Sequence, residues 1–188
     1  SHDYNGAVVS AGGRVFVVTQ RDDTGRRNEA LYAFDLATGN KLWMTPLRST
    51  PNDVDVNASG NSTPCAEGER VWAIGVLGDV LCCEAASGKE LWRAALPQPS
   101  KGDCQNWGCS PLLYGELLIV CGAKGGCAGS YTAFDKTSGK AAWTWPGAGE
   151  SYGVNNAASP VLGKLAGRDV LVLIGYTTRE LGGLHKPG

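Results

Sequence analysis

The sequence predicts an all-β chain, a β-propeller of four-stranded antiparallel blades. Three observations lead there. An eleven-residue pattern at 33–43 (AFDLATGNKLW) returns at 82–92 (CCEAASGKELW) and at 133–143 (AFDKTSGKAAW), placing Trp43, Trp92 and Trp143 49 and 51 residues apart. A second register, Ser or Thr followed by Pro, recurs at Pro64, Pro111 and Pro160, 47 and 49 residues apart. Between these marks lie four short strand-like runs per period. A fixed period of about 40–50 residues signals a repeat architecture, and four short strands per repeat suit a propeller blade.

In chain order, the first unit reads as strands GAVVS, RVFVVTQ, NEALYAFD and NKLWMTPL, with turns at 11–13, 22–27 and 37–40. The second reads NSTPCAEG, RVWAIGV, DVLCCEA and KELWRAAL. The third reads WGCSPLLYG, ELLIVCGA, GSYTAFD and KAAWTW. The fourth has AASPVLG and RDVLVLIGY, then TRELGGLHKPG, with no Gly-x-x-x-Trp hairpin to complete it. The predicted blades are therefore 1–47, 57–96, 106–145 and an incomplete 156–188, all within one partial propeller domain. About three and a half blades are expected, as roughly half of a larger ring, since propellers run to about 4–8 blades. Pro is tolerated at the first residue of a strand, which fits the Ser/Thr-Pro starts. Parallel βαβ units would require a helix of about ten or more residues between strands, and no amphipathic stretch of that kind is present. A β-sandwich leaves the period unexplained.

Within each copy, position one is small (Ala33, Cys82, Ala133), position three acidic (Asp35, Glu84, Asp135), position seven Gly (Gly39, Gly88, Gly139) and position eleven Trp. Gly at position seven suits a hairpin turn needing positive φ, and the Thr or Ser before it can hydrogen-bond the turn backbone. Each copy is thus a β-hairpin, and its Trp is expected to be a packing residue.

Composition narrows the function classes. The 188 residues carry a formal net charge of −1, which advertises neither nucleic acid nor an anionic membrane surface. With 27 Gly and 9 Pro against one Met, the chain is turn-rich rather than helical. No run approaches the roughly 20 apolar residues of a membrane span. The start, SHDYNG, has neither an initiator Met nor a signal peptide, so a processed or trimmed product is expected.

These motifs resemble the pyrroloquinoline-quinone-type propeller repeat, with the tryptophan-docking motif that quinoprotein dehydrogenases share with BamB-like outer-membrane assembly lipoproteins. The resemblance covers nearly the whole chain. It implies that each Trp packs on the Gly-containing segment of the adjacent blade, with its indole nitrogen near the small residue at position one. The docking residues would then be Ala33, Gly39, Trp43, Cys82, Gly88, Trp92, Ala133, Gly139 and Trp143. It also implies a periplasmic or otherwise extracytoplasmic location. One superfold hosts many activities, so function must be read from the loops.

Three polar, Pro- and Gly-containing connections (48–60, 97–107 and 146–156) would run from the outer strand of one blade to the inner strand of the next, on one face near the axis. Their amides recur before each Pro: Asn57 and Asn61, then Asn106, then Asn155 and Asn156, with Asn5 at the corresponding place in the first unit. With Trp107 and Tyr152 beside them, Asn106, Asn155 and Asn156 form a face able to stack and hydrogen-bond a peptide or polar ligand. The alternative for the amides is an Asx-turn with their own loop backbone. The expectation is a non-catalytic binding or scaffold propeller whose partner is a protein or peptide, or the remaining blades of the ring.

The competing expectation is a fragment of a quinoprotein alcohol or sugar dehydrogenase. The resemblance would then imply a quinone over a Trp, Ca²⁺ on carboxylate and amide oxygens, an Asp base and an adjacent-cysteine disulfide. Cys82-Cys83 departs from that pattern, because strand alternation aims neighbouring side chains at opposite faces. The loops supply Asp53, Asp55, Asp103 and Glu150 as candidate carboxylates, and no C-x-x-C-H haem site is present. Ca²⁺ wants about six to eight oxygen ligands, usually several of them carboxylates, so no cofactor and no metal is expected.

The seven cysteines contain no C-x-x-C, and the histidines are His2 and His185, which argues against zinc and against a Cys-His or Ser-His-Asp centre. Cys104 and Cys109 bracket CQNWGC, and Cys121 and Cys127 bracket a Gly-rich turn. Both spacings permit a disulfide in an oxidising compartment. Cys65, Cys82, Cys83 and Cys121 can equally be small buried thiols.

Overall fold

The computed structural model describes residues 7–20, 29–47, 62–75, 78–96, 109–123, 126–145, 159–172, 176–177 and 180–181. Within the described residues every regular element is a strand. β1 (Val9–Ala11), β2 (Arg14–Gln20), β3 (Glu29–Asp35) and β4 (Lys41–Pro46) form one antiparallel sheet in sequence order. β5 (Cys65–Glu67), β6 (Arg70–Ile74), β7 (Asp79–Glu84) and β8 (Glu90–Ala95) repeat it, as do β9 (Leu112–Tyr114), β10 (Leu117–Ala123), β11 (Gly126–Asp135) and β12 (Ala141–Trp145). β13 (Val161–Leu165) pairs with β14 (Arg168–Val172), and a short ladder joins β15 (Tyr176–Thr177) to β16 (Glu180–Leu181). Pro64, Pro111 and Pro160 each stand immediately before the first strand of their unit, where a missing N–H costs no ladder bond. β1 and β5 lie against each other, so the first strands of these two sheets are neighbours.

Each sheet is buried on both faces where it has a neighbour on each side. Along β6 and β7 alternate residues go to opposite cores. Trp72, Ile74, Val80 and Cys82 pack with Leu118, Val120 and Phe134 of the third sheet. Val71, Ala73, Leu81 and Cys83 pack with Phe16, Val18, Leu31 and Leu47 of the first. A third cluster, Cys109, Ile119, Cys121, Tyr131 and Ala133, receives Leu171 from β14. Stacked sheets must bury both faces, which is why these strands read as continuous apolar runs rather than alternating ones.

The hairpin turns share one geometry. Asp35 N donates to Asn40 O, Gly39 N donates to Asp35 O, and the glycine has φ +72°. The same two bonds recur at Glu84–Lys89 and Asp135–Lys140, with Gly88 at +72° and Gly139 at +71°. Position three closes the turn. Asp35 Oδ1 accepts the Ala37 amide at 3.1 Å, the Thr38 amide at 2.7 Å and the Thr38 hydroxyl at 2.8 Å. Asp135 repeats this with Thr137 and Ser138, and in the second copy the Ser87 hydroxyl donates to Glu84. The Thr38 hydroxyl also accepts the Asn40 amide at 3.3 Å, so hydroxyl and carboxylate divide the turn's donors between them.

The three hairpins also share a β-bulge. Ala33 faces Trp43 but Phe34 faces Lys41, so Leu42 has no cross-strand partner; Cys82/Trp92 and Cys83/Glu90 repeat the shift, as do Ala133/Trp143 and Phe134/Ala141. A bulge adds one residue to one strand and re-aims its neighbours. Here it turns Leu42 and Leu91 outward, 45% and 44% exposed, and points the following Trp toward the next sheet.

These turns carry an acid sensitivity. The hydroxyls of Thr38 and Ser138, then the turn amides, hold the Asp35 and Asp135 carboxyls below the ordinary carboxylate range. The unfolded value is about 3.9, so this contribution is complete above about pH 5 and lost as pH falls through the lowered folded values. The double variant Asp35→Asn, Asp135→Asn keeps an oxygen acceptor but has no charge to titrate. Its urea midpoint is expected to fall less than the parent's between pH 6 and pH 3; equal falls would place the acid sensitivity elsewhere.

Candidate functional site: the blade junctions and the loop face they carry

Two sets of contacts join the blades. The first is the seat of each tryptophan. A Cβ on Gly88 would stand 2.5 Å from Trp43 Cε3 and 2.6 Å from its Cδ2, so the indole lies directly on the glycine of the next hairpin. Trp43 Nε1 donates to Ala85 O at 3.1 Å, and the Thr45 hydroxyl donates to Gly88 O at 2.6 Å. One blade further on, a Cβ on Gly139 would stand 2.6 Å from Trp92 Cδ2, and Trp92 Nε1 donates to Lys136 O at 3.1 Å. Trp72 Nε1 shares that same carbonyl, also at 3.1 Å.

The acceptor is therefore the position-four carbonyl of the following copy. This corrects the expectation that the indole nitrogen sits near position one. Ala33, Cys82 and Ala133 instead lie opposite their own Trp within one sheet, fully buried, where only a small side chain leaves room for the ring. Position four is held on both sides. Its N–H is taken by the first turn of its own blade (Ala85 to Glu69 O, Lys136 to Glu116 O), which leaves its carbonyl aimed at the neighbour. Trp92 is 9% exposed, whereas Trp143 is 37% exposed and Gly39 has nothing within 4 Å of an added Cβ.

The second set is a chain of hydroxyls at the strand starts. Ala7 N donates to Thr63 Oγ1 at 3.0 Å, Thr63 N to Ser110 Oγ at 2.9 Å, and Ser110 N to Ser159 Oγ at 2.9 Å. The residue before each Pro thus accepts the amide of its counterpart one blade earlier. Sequence reasoning saw the Ser/Thr-Pro repeat only as a strand start. The recurrence of a hydroxyl at that one position was the available signal for the bond.

This chain of hydroxyls brings three loop exits together. Asn61 stands two residues before Thr63, Asn106 four before Ser110, and Asn155 and Asn156 four and three before Ser159. Asn106, Trp107, Tyr152, Asn155 and Asn156 themselves lie outside the described residues, as do Asn5, Asn57, Asn61, Asp53, Asp55, Asp103, Glu150 and Cys104. Of Cys127 only the backbone, in β11, is described.

Charged residues tie the same junctions at the rim. The guanidinium of Arg93 pairs with Asp79, whose side chain is 1% exposed, and with Glu90 at 2.8 Å, and it donates to Pro46 O of the first blade at 2.9 Å. Lys136 reaches back to Glu67 at 2.7 Å, and the Tyr114 hydroxyl donates to Asp169 at 3.1 Å. Among the described residues no cluster of three or more His, Cys, Asp or Glu side chains is placed to hold a metal ion. No described helix is long and apolar enough to cross a membrane.

The cysteines divide by face. Cys82 and Cys83 are free thiols in opposite cores, and burial pushes them up to about 12 and about 11. Cys65 is half-buried and raised by desolvation. Cys109 and Cys121 are both buried in one cluster.

Four-stranded antiparallel sheets stacked face to face, with Trp43 and Trp92 each laid on the next blade's glycine turn, define a β-propeller. The family described as outer membrane protein assembly factor BamB matches residues 27–185, and the chain belongs to that family. Its fold resembles BamB from Moraxella catarrhalis at a TM-score of 0.61 and 18% identity, over 93% of this chain and 48% of that one. It also resembles quinohemoprotein alcohol dehydrogenase ADHIIG from Pseudomonas putida HK5 at a TM-score of 0.62 and 17% identity, over 89% of this chain and 30% of that one. In sequence it is 27% identical over 125 residues to the quinohemoprotein alcohol dehydrogenase of Comamonas testosteroni, 61% of this chain and 17% of the enzyme. The chain spans about half the length of BamB and less of the dehydrogenases.

The hydroxyl chain has a measurable share in holding the blades. Ser110→Ala removes the acceptor of the Thr63 amide and is expected to cost about 1 kcal/mol in urea unfolding. An unchanged midpoint would mean that water replaces the hydroxyl at no cost.

The tryptophan seat gives a sharper test. Trp92→Ala is expected to cost about 3–5 kcal/mol, as deletion of a large buried side chain does. Gly139→Ala suffers both the ring clash and a left-handed backbone, but in the Trp92→Ala background only the backbone cost of roughly 1–2 kcal/mol remains. Strictly additive losses would show that the two residues do not meet.

Proposed function

We propose that the chain is an arc of a larger, non-catalytic propeller that works as a binding or scaffold module through the face formed by its inter-blade loops. The observation that carries this reading is the hydrogen-bonded series Ala7–Thr63–Ser110–Ser159, which anchors successive loop exits beside one another on a rigid frame. Recognition residues work best on loops held by a stiff scaffold. On this reading Asn106, Trp107, Tyr152, Asn155 and Asn156 contact the partner. Amides beside aromatic rings suit an extended peptide segment of another protein or a polar ligand. Membership of a family described by outer membrane protein assembly supports a protein partner and a periplasmic or other extracytoplasmic location. The exposed Trp143, with Val161 and Leu165 at 55% and 54% exposure, is the flank that further blades would cover.

The likeness to the Comamonas testosteroni quinohemoprotein alcohol dehydrogenase favours a second reading, a fragment of a quinone-dependent dehydrogenase. The tryptophan seats and the adjacent cysteines lend that reading no support. Trp43 and Trp92 are each committed to a glycine turn and a carbonyl, so neither ring is free to floor a quinone. Cys82 and Cys83 face separate cores, so they do not present an adjacent pair to one site.

Calorimetric titration of the full-length protein with pyrroloquinoline quinone and Ca²⁺ separates the readings. No binding heat is expected. Micromolar binding together with dye-linked alcohol oxidation would overturn the scaffold reading in favour of the dehydrogenase.

A further inference from the structure

Cys109 and Cys121 stand twelve residues apart in the chain, and the fold brings both into one buried cluster. Cys109 lies in the segment entering β9, and Cys121 lies near the end of β10. Their strands are paired up to Leu112 opposite Ile119. Beyond that pair the entry segment leaves the ladder, drawn toward the fourth unit by the bond from Ser110 N to Ser159 Oγ. Freed from strict alternation, the Cys109 side chain turns to the face that Cys121 occupies. Both are then buried, 2% and 1% exposed, among Ile119, Tyr131 and Ala133. The Cys121 side chain is near enough to raise the Cys109 thiol above its ordinary range. Neighbouring positions on adjacent antiparallel segments bring Cα atoms into the range a disulfide spans, about 4.4–6.8 Å.

The other described cysteines have no such neighbour in reach. Cys82 and Cys83 point into opposite cores, and Cys65 is separated from Cys82 by the intervening strand, where Trp72 is cross-strand partner to both.

We propose that Cys109 and Cys121 form a disulfide bond when the chain folds in an oxidising compartment, in preference to the 104–109 and 121–127 pairings that sequence spacing permits. The bond fastens the entry of β9 to β10 beside Ser110, which like Thr63 both gives and receives a bond in the inter-blade series. The oxidant is a small-molecule disulfide such as oxidised glutathione. One protein thiolate attacks it, forming a mixed disulfide and releasing one glutathione thiolate. The second protein thiolate attacks the protein sulfur of that mixed disulfide, closing the 109–121 bond and releasing the other glutathione. Two electrons pass from the cysteine pair to the glutathione disulfide, and the two cysteine protons end on the two glutathione thiols. The reaction belongs to folding. In the folded protein the neighbouring Cys121 side chain and then burial hold the Cys109 thiol well above its ordinary range, leaving little thiolate to react.

The test is to refold the full-length protein from denaturant in a glutathione redox buffer, alkylate free thiols under denaturing conditions, and map a chymotryptic digest without reduction. Cleavage after Trp107 separates Cys104 from Cys109, and a further tryptic cleavage after Lys124 separates Cys121 from Cys127. The expected result is the Cys109 peptide linked to the Cys121 peptide, with Cys104 and Cys127 alkylated and the linkage lost on reduction. A 104–109 or 121–127 linkage, or alkylation of both Cys109 and Cys121, would overturn the assignment. Because the oxidant is supplied in vitro, a negative result bears on the pairing itself and leaves the scaffold reading standing.

Discussion

The structure depends on one contact, an indole ring laid flat on a glycine of the next blade with its N–H given to a carbonyl three residues before that glycine. The eleven-residue motif is a single device for making it. The acidic residue at position three folds the turn by gathering amides and a hydroxyl. The folded turn pins position four by its N–H and presents its carbonyl outward. Glycine at position seven is required twice, by its φ near +72° and by a ring where a Cβ would stand. The bulge at position ten re-aims the strand so that the Trp at position eleven reaches across rather than along the sheet. Removing any one of these features spoils a contact in the adjacent blade, which makes neighbouring repeats mutually dependent.

Two belts of interaction run between blades, and they differ in kind. At the hairpins the belt is apolar stacking with one hydrogen bond per ring, reinforced by Arg93 and Lys136 reaching across the junction. At the strand starts it is a polar series of backbone amides and Ser/Thr hydroxyls. The polar belt answers a specific need, because the first strand is a sheet edge and Pro follows at once. Its amides have no ladder partner on that side, and an unpaired amide close to packed surface is costly. A hydroxyl from the next blade satisfies each one and fixes the spacing of the blades at the end where the loops emerge.

This division explains how one scaffold is shared by a BamB structure and by alcohol dehydrogenases of very different length. Blade-to-blade adhesion uses turn residues and strand starts, and on the proposed reading a ligand is met by the connections between blades. Those loops can change without disturbing a tryptophan seat. The cysteines follow the same logic: Cys82 and Cys83 substitute for small core residues on opposite faces of β7, while Cys109 and Cys121 fall where the entry segment bends out of the sheet.

Periodicity and local turn chemistry were enough to determine that the chain is all-β, that its strands come in fours, and that Gly39, Gly88 and Gly139 end turns at positive φ. Each of these follows from short-range geometry repeated three times, which a sequence displays directly. The alternation of Cys82 and Cys83 was legible for the same reason. Only the tertiary structure decided that the indole nitrogens bond position four rather than position one, that Ser110 and Ser159 accept amides from the blade before, and that Cys109 meets Cys121. Those choices are set by the angle and offset at which one sheet packs on the next, and by where an entry segment leaves its ladder. Spacing along the chain repeats faithfully whatever that angle is, so it carries no record of which atoms the angle brings together.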